Sequence, residues 1–259
     1  MAHSHTALWQ DLTWPELGEY AQANAVVIVP VGAIEQHGPH LPVSTDITSA
    51  YEVARRAAGT ITEFPVLVAP PIWWGVSSHH MGYPGTISLS ADTFIDLMCD
   101  VCRSISVHGF RRILILNGHG GNAEMIAVSA QKLSEQGVFV AAATYFAMIV
   151  DELRAIGESE IGGMSHACEM ETSLLLVLCP ELVHMDRAVS EMRSAWTSFF
   201  SWDMRDPKPV YYAYDMKRDS QHGVIGDPTL ATKAKGEQIL SAAVDKVASF
   251  LREYHAMPG

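Results

Sequence analysis

Three side chains of the kinds that bind divalent metals occur within twelve positions near the start of the chain. Glu35 and His37 are two positions apart, and Asp46 follows nine positions after His37. In an extended segment, residues two apart point to the same side, so Glu35 and His37 can face one bound ion. Carboxylate and imidazole groups are common ligands of such ions. The stretch indicates a divalent-metal site, with an ordinary polar loop as the alternative.

Two later stretches carry the same kinds of side chain. His119 lies between glycines in Asn117-Gly-His-Gly-Gly-Asn122, which lacks the spacing of the common nucleotide-binding loops. His166 and Glu169 are three residues apart and share one face if a helix begins there. One of them can then hold metal while the other transfers protons. The alternative is a solvated first helical turn, where a glutamate is favoured by the helix dipole.

The cysteines and the other histidines carry weaker signals. Cys99 and Cys102 have no basic or proline neighbour, so they are interpreted as a buried core pair. Cys168 is a candidate nucleophile, but beside a metal site an activated water is the simpler attacker. His79 and His80 fall in an irregular stretch, residues 73–86, whose aromatic and glycine content is typical of a binding loop. For these two histidines, contact with substrate and a surface role both stay open.

Buried strands and amphipathic helices alternate along the chain and must position these side chains. Apolar runs predict strands at residues 25–29, 64–72, 112–117 and 138–144, and helical patterns cover 13–22, 46–58, 91–108, 122–136, 169–178 and 233–254. This alternation predicts an α/β fold with a mostly parallel central sheet and helices on both faces. Glu35, His37 and His119 follow the first and third strands, where such sheets bind ligands. Residues 186–219 are aromatic, proline-containing and aperiodic, so loops and short elements are predicted there.

Composition narrows the class of protein. The chain has 259 residues, 48% of them hydrophobic, and a formal net charge of −12 from 29 acidic and 17 basic residues. That acidic balance argues against binding to nucleic acid and to anionic membrane surfaces. No apolar run approaches the roughly 18 residues of a membrane-spanning helix, and Met1 to His5 do not resemble a signal peptide. We expect one cytoplasmic domain over residues 1–259.

Taken together, the motifs resemble those of the creatininase (creatinine amidohydrolase) family. The matching stretches are Gly32 to Pro42, Asp46, Tyr83 to Ser88, Asn117 to Asn122, His166 to Ser173 and Gly223 to Pro228. They occur in the order of the family and extend over nearly the whole chain. The resemblance implies a dinuclear metal hydrolase on an α/β fold that assembles as a homo-oligomer, usually a hexamer.

The resemblance also implies roles for individual residues. Glu35 and His119 would hold one metal and His37 the other, with Asp46 bridging them, and His166 matches the catalytic histidine of the family. Two divalent ions per chain are expected, Zn²⁺ or Mn²⁺ or both, with Fe²⁺ also compatible with nitrogen and oxygen ligands.

One ligand of creatininase is absent at its usual place. A glutamate two positions after the metal-binding histidine becomes Gly121 here, and in relatives with the same glycine a glutamate matching Glu169 is expected to replace it. Three carboxylates, from Glu35, Asp46 and Glu169, against two divalent cations leave one positive charge for a bridging hydroxide. The implied mechanism is attack of this hydroxide on an amide or lactam carbonyl, with His166 moving a proton to the leaving nitrogen.

Other departures concern the substrate. Phe146 and Gly162 fall near the positions of two tryptophans that enclose the ring in creatininase, so creatinine is not the expected substrate. A wider pocket is predicted for a small-molecule amide. Its expected contacts are His80, Tyr83, Gly120 and Trp74, with further aromatic residues from Trp196 to Tyr214. Peptidase activity of the mycofactocin type, formamide hydrolysis and a non-catalytic metal-binding role are the alternatives.

Overall fold

Five parallel strands form the central sheet of the protein. The computed structural model describes residues 6–193 and 197–258. The strands are β1 (Thr6–Leu8), β2 (Val26–Val31), β3 (Val66–Val68), β4 (Arg112–Asn117) and β5 (Val140–Thr144). They lie side by side in the order β1-β3-β2-β4-β5. The predicted α/β class and parallel sheet are confirmed.

Helices cover both faces of this sheet. They are α1 (Trp14–Gln22), α2 (Thr45–Gly59), α3 (Ala91–Val107), α4 (Ala123–Ser134), α5 (Val150–Ile156), α6 (Glu169–Leu178), α7 (Met216–Asp219) and α8 (Lys233–Ala256). Val26 and Ile28 of β2 pack into a core with α2, α5, α6 and α8. Val27 and Val29 point the other way, into a core with α1, α3 and α4. This alternation is the two-residue period of a strand buried on both faces.

The predicted strand at 64–72 is shorter in the structure. Regular pairing covers only Val66–Val68, and beyond it only Ala69 and Ile72 donate backbone hydrogen bonds, to the carbonyls of Ile28 and Pro30. Pro70 and Pro71 separate these two donors and have no N–H of their own. The ladder is therefore interrupted where the prolines remove its donors.

From the crevice between β2 and β4, the chain connections run toward opposite edges of the sheet. The chain crosses from β2 to β3 through α2, and from β4 to β5 on the other side through α4. Gly32 and Gly118, just after the two strands, allow the start of α2 to approach closely. A Cβ at Gly118 would lie 2.5 Å from the carbonyl oxygen of Asp46, and one at Gly32 would lie 2.6 Å from Cα of Ile47. The two glycines thus allow Asp46, at the start of α2, to lie over the crevice.

The described part of the predicted loop segment, residues 186–193 and 197–219, is anchored beside a second sheet. Strands β6 (Met164–His166) and β7 (Ile225–Gly226) pair antiparallel. The buried ion pair of Asp203 and Arg205, 2.7 Å between Oδ2 and Nη2, binds the segment to the chain before β6. The Asp203 carboxylate accepts the amides of Gly162 and Met164, at 2.8 and 3.1 Å. Within the described residues, no helix is both long and apolar enough to cross a membrane.

Candidate metal centre and active site

Four of the predicted metal ligands meet at the carboxyl ends of β2 and β4. Glu35, His37, Asp46 and His119 are all at least 96% buried. Nε2 of His37 lies 3.1 Å from Oδ1 of Asp46, and Nδ1 of His119 lies 3.1 Å from Oδ2 of the same carboxylate. Asp46 therefore stands between the two imidazoles with one oxygen toward each.

Backbone carbonyls hold both imidazoles in the tautomer that a metal ligand needs. A carbonyl can only accept, so the ring nitrogen beside it carries the hydrogen. Nδ1 of His37 donates to the carbonyl of Glu35 at 3.1 Å, and Nε2 of His119 donates to that of Val76 at 3.1 Å. The nitrogens that face Asp46 are then the ones that a metal ion would take in place of a proton. Histidine ligands of metals are commonly oriented in this way.

The two asparagines of the Asn117 to Asn122 stretch fix the turn that presents His119. Asn117 accepts the amide of His119 at 3.0 Å and donates to its carbonyl at 2.6 Å. Asn122 donates to the carbonyl of Gly32 at 2.9 Å and accepts the amide of Val76 at 2.9 Å. These hydrogen bonds thus stabilise the turn that carries His119 and connect the ends of β2 and β4. Its polar groups are used for positioning rather than for holding a phosphate.

The structure corrects the prediction for Glu169. Its buried carboxylate accepts from Nζ of Lys235 at 2.6 Å and from the amides of Glu158 and Ser159 at 3.0 Å each. Burial alone would raise the pKa of Glu169, but these hydrogen bonds outweigh it and hold the pKa below its usual value. The carboxylate is therefore already neutralised at a distance from the metal cluster.

Glu171 occupies the place that was expected for Glu169. Its Oε1 lies 3.7 Å from Nε2 of His37, and the two residues form a potential metal-binding group with Asp46. Residues two apart on a helix are separated by about 200°, so Glu169 and Glu171 face opposite directions from the first turn of α6. Both glutamates are visible in the sequence. The rotation of α6 about its axis, which decides which of them faces the cluster, is not.

His166 lies beside this cluster with its ring oriented by Gln36. Nε2 of His166 donates to the carbonyl of Gln36 at 2.8 Å, which leaves Nδ1 as an acceptor 3.6 Å from Oε1 of Glu35. Burial, aided by the nearby His37, holds the pKa of His166 well below its usual value. The ring is therefore neutral and can accept a proton at Nδ1. Ala167, which follows, has a left-handed backbone with φ of 50° that turns the chain into α6.

The potential ligands form overlapping groups, one of which combines Glu35, His37 and His166. Asp46 contacts both His37 and His119 and so lies between the other two groups. We call the first the His37–Glu171 position, which has His37, Asp46 and Glu171 as neighbours. The second is the Glu35–His119 position, where Oε2 of Glu35 lies 3.3 Å from Nε2 of His119. A ring nitrogen of His79 lies within 4.8 Å of ligand atoms of Glu35 and His119.

The cluster has the chemistry of a cation site. Buried atoms of Glu35 (Oε2), His37 (Nε2), Asp46 (Oδ2) and His80 (Nε2) make no hydrogen bond. Burial opposes charge on His37, yet Asp46 and Glu171 hold its pKa well above the usual value. Burial likewise opposes charge on His119, but Glu35 and Asp46 raise its pKa to about 9. The carboxylates thus stabilise positive charge here, as they would stabilise divalent ions, and the residues fit two such ions.

Above the cluster lies a cleft of about 500 Å³. Its wall includes aromatic side chains, among them Phe146, Phe200, Trp202, Tyr211, Tyr212 and Tyr214. Of the predicted substrate contacts, His80 and Gly120 line the cleft. Trp196, also expected there, is outside the described residues.

Trp74 and Tyr83 do not line the cleft, which corrects their predicted contact with substrate. The side chain of Trp74 is 48% exposed. Tyr83 packs against the cluster of Trp202, Met216 and Ile225, and its hydroxyl donates to the carbonyl of Ser220 at 3.0 Å. Gly162 contributes its amide to Asp203, so only Phe146 of the two positions compared with creatininase tryptophans faces the cleft.

Comparison with known proteins agrees with this arrangement. The pattern of the creatininase family, described as creatinine amidohydrolase, matches residues 10–251. The chain belongs to the creatininase family. Family members are metal-dependent hydrolases, and the metal cluster described above lies within the matched residues.

Three individual proteins illustrate the range of relatives. A mycofactocin precursor peptide peptidase of Mycobacterium ulcerans is 32% identical over 95% of this chain and 88% of its own. Creatinine amidohydrolase of Pseudomonas putida is 30% identical over 94% of this chain and 95% of its own. A creatininase solved with manganese superposes with a TM-score of 0.81 at 28% identity and covers 97% of this chain and 100% of its own. Relatives of similar identity thus act on a peptide and on creatinine.

Proposed function

We propose that this protein is a dinuclear metal-dependent amidohydrolase that cleaves an amide C–N bond. The observation that carries the proposal is the arrangement around Asp46. Its two oxygens each lie 3.1 Å from an imidazole nitrogen, one of His37 and one of His119. A carboxylate with one oxygen toward each of two ligand sets is suited to bridging two cations.

The ligand set supports one ion at each of the two positions. Glu35 and His119 would hold one ion and His37 and Glu171 the other, with Asp46 shared. Three carboxylates then balance all but one of the four positive charges, the same balance that was predicted with Glu169. Imidazole and carboxylate ligands without thiolate are compatible with Zn²⁺, Mn²⁺ and Fe²⁺.

Each protein group has a separate task in the proposed reaction. Bound divalent ions lower the pKa of water, which makes a nucleophile available near neutral pH, and polarise a carbonyl. Neutral His166 accepts a proton at Nδ1 and delivers it to the leaving nitrogen. The Gln36 carbonyl keeps this ring in the required tautomer. Cys168 is not the nucleophile in this scheme, because burial raises the pKa of its thiol well above the usual value.

The cleft supports a substrate larger than a single small ring. Its volume of about 500 Å³ is within the range of sites for drug-sized ligands, roughly 300–1,000 Å³. Our first candidate is a small-molecule amide or lactam. The second is a short peptide, which is supported by the aromatic wall of the cleft and by the sequence similarity to a peptide peptidase.

The proposal is tested by metal content together with substrate screening. Metal-free protein is reconstituted with Mn²⁺ or Zn²⁺, the bound ions are counted by mass spectrometry, and lactams, formamides and short peptides are assayed. We expect about two ions per chain and hydrolysis of one of these classes. Fewer than one ion per chain would contradict the proposal. A preference for peptides would select the second candidate over the first.

The variant His166→Ala tests the proton transfer separately. It should bind both ions like wild type while turnover falls by about 10²–10⁴, the usual contribution of a positioned acid or base. Ion counting and steady-state kinetics on the same preparation measure the two effects. Full turnover at full metal content would remove His166 from the mechanism.

A further inference from the structure

His79 is a half-buried side chain at the metal cluster without a role in the proposed reaction. One of its ring nitrogens lies within 4.8 Å of a carboxylate oxygen of Glu35 and of a ring nitrogen of His119. Over residues 6–193 and 197–258, its imidazole makes no hydrogen bond or ion pair. A nitrogen lone pair is therefore available to a ligand at this position.

Neighbouring rings hold the imidazole of His79 in place. It is nearly parallel to the ring of His119, with centroids 5.7 Å apart and planes inclined by 5°. Tyr214 meets it edge-on at 4.8 Å, and His80 packs against it at 4.3 Å. Packing thus fixes the orientation of the ring and of its nitrogens, with no contribution from a hydrogen-bond partner among the described residues.

The absence of a side chain at Gly121 makes room for this ring. A Cβ at Gly121 would lie 2.9 Å from Cε1 of His79 and 2.5 Å from Nε2 of His119. It would also lie 2.6 Å from the carbonyl oxygen of Val76, which is backbone and cannot move away cheaply. Gly121 is therefore required if both imidazoles are to occupy their present positions.

We propose that His79 is a further protein ligand of the ion at the Glu35–His119 position, which makes the two metal positions unequal. The inference rests on the proposed function. Glu35, His79 and His119 form one potential ligand group, and Oδ2 of Asp46 lies 3.1 Å from Nδ1 of His119. With a shared Asp46 this position would have four protein ligands, the number that closes a tetrahedral zinc site. The His37–Glu171 position has three, so it keeps a place for water or substrate.

The proton-transfer residue lies beside both positions, and Nδ1 of His166 is 3.6 Å from Oε1 of Glu35. The ring of His166 lies 4.4 Å from that of His37, centroid to centroid. Exchange of water and binding of the substrate carbonyl are assigned to the His37–Glu171 position because it keeps the open place. The Glu35–His119 ion is held more tightly and stays bound through turnover.

Zinc affinities of wild type and of His79→Phe test this assignment. Phenylalanine keeps a ring of similar size for packing but has no nitrogen. Each protein is loaded with Zn²⁺, and the ions are withdrawn by a chromophoric chelator of known affinity. Wild type should release a weaker and a tighter ion. In His79→Phe the tighter ion should weaken at least tenfold, the minimum expected when even a supporting group is lost, and the weaker ion should change less than about twofold.

The control is His222→Phe, which changes a half-exposed histidine that pairs with Glu191 at 3.4 Å. It should bind zinc like wild type. Unchanged affinity of the tighter ion in His79→Phe, equal weakening of both ions, or equal affinities in wild type would each overturn the role of His79. Fewer than one zinc per wild-type chain would instead overturn the proposed function itself.

Discussion

At the scale of single residues, the metal cluster depends on side chains whose hydrogens are placed by the backbone. The carbonyls of Glu35 and Val76 each accept one N–H from an imidazole and so turn the other nitrogen toward Asp46. The same device orients His166 through Gln36. Because carbonyls cannot donate, these tautomers do not change with small movements of the ring.

The paired glutamates of α6 give a direct test at this scale. Glu171→Gln removes a charged ligand of the His37–Glu171 position, and we expect the affinity of that ion to fall at least tenfold. Glu169→Gln should leave both ions bound with wild-type affinity, since its carboxylate faces Lys235. Zinc titration of both variants measures the difference. The reverse pattern would restore Glu169 as the ligand.

At the scale of elements, the buried pair of Glu169 and Lys235 joins α6 to α8. The same carboxylate caps the amides of Glu158 and Ser159, and the carbonyl of Ser159 accepts Nη1 of Arg205 at 2.9 Å. Through Asp203 this network continues to the wall of the cleft. The Glu169 carboxylate, which was expected to bind metal, therefore stabilises the elements around the site instead.

Replacement of Lys235 by methionine tests this scaffold. Lys235→Met leaves the Glu169 carboxylate buried without its counter-charge, and removal of one partner of a buried pair typically costs about 3–5 kcal/mol. The double variant Glu169→Gln/Lys235→Met should recover part of that loss. Urea unfolding of metal-free proteins gives the free energies. A loss below about 1 kcal/mol in the single variant would mean that the pair contributes little.

The pH dependence of this contribution follows from the direction of the pKa shift. The folded-state pKa of Glu169 lies below its usual 4.5, so the ionised form is favoured by folding. The stabilisation should be fully present above pH 4.5 and decline as the pH falls through the folded pKa. The difference in unfolding free energy between wild type and Glu169→Gln, followed from pH 7 to pH 4 without metal, measures it. A difference that grew on acidification would contradict the assignment.

At the scale of the whole molecule, the metal centre joins segments that are distant in sequence. Its ligands come from the loop after β2, the start of α2, the turn after β4 and the first turn of α6. Bound ions would therefore cross-link both halves of the sheet and α6.

Removal of metal should accordingly lower thermal stability. A ligand present at 100 times its Kd stabilises the native state by about 2.7 kcal/mol. For a chain of this size each kcal/mol shifts Tm by roughly 2–4 °C, so we expect chelation to lower Tm by about 5–10 °C. Differential scanning calorimetry with Mn²⁺ and with a chelator measures the shift. Identical melting curves would show that the cluster binds no ion under those conditions.

The predicted homo-oligomer is a property of the same scale. Strand β5 forms one edge of the sheet, and Phe139 beside it is 70% exposed. Unpaired sheet edges and exposed apolar side chains favour association. Light scattering after gel filtration measures the mass in solution.

The sequence by itself determined the fold class and predicted most of the side chains that meet in the cluster. Apolar runs of strand length alternating with amphipathic helices are sufficient for a parallel sheet, and ligands that follow strands must gather at one edge. Only the tertiary structure decided between Glu169 and Glu171, because the rotation of α6 depends on its packing against α8. It also decided the place of His79, because the space above Gly121 exists only when β4, α2 and the loop after β3 meet. Spacing along the chain reports which side chains are available, but their directions are set by contacts between distant elements.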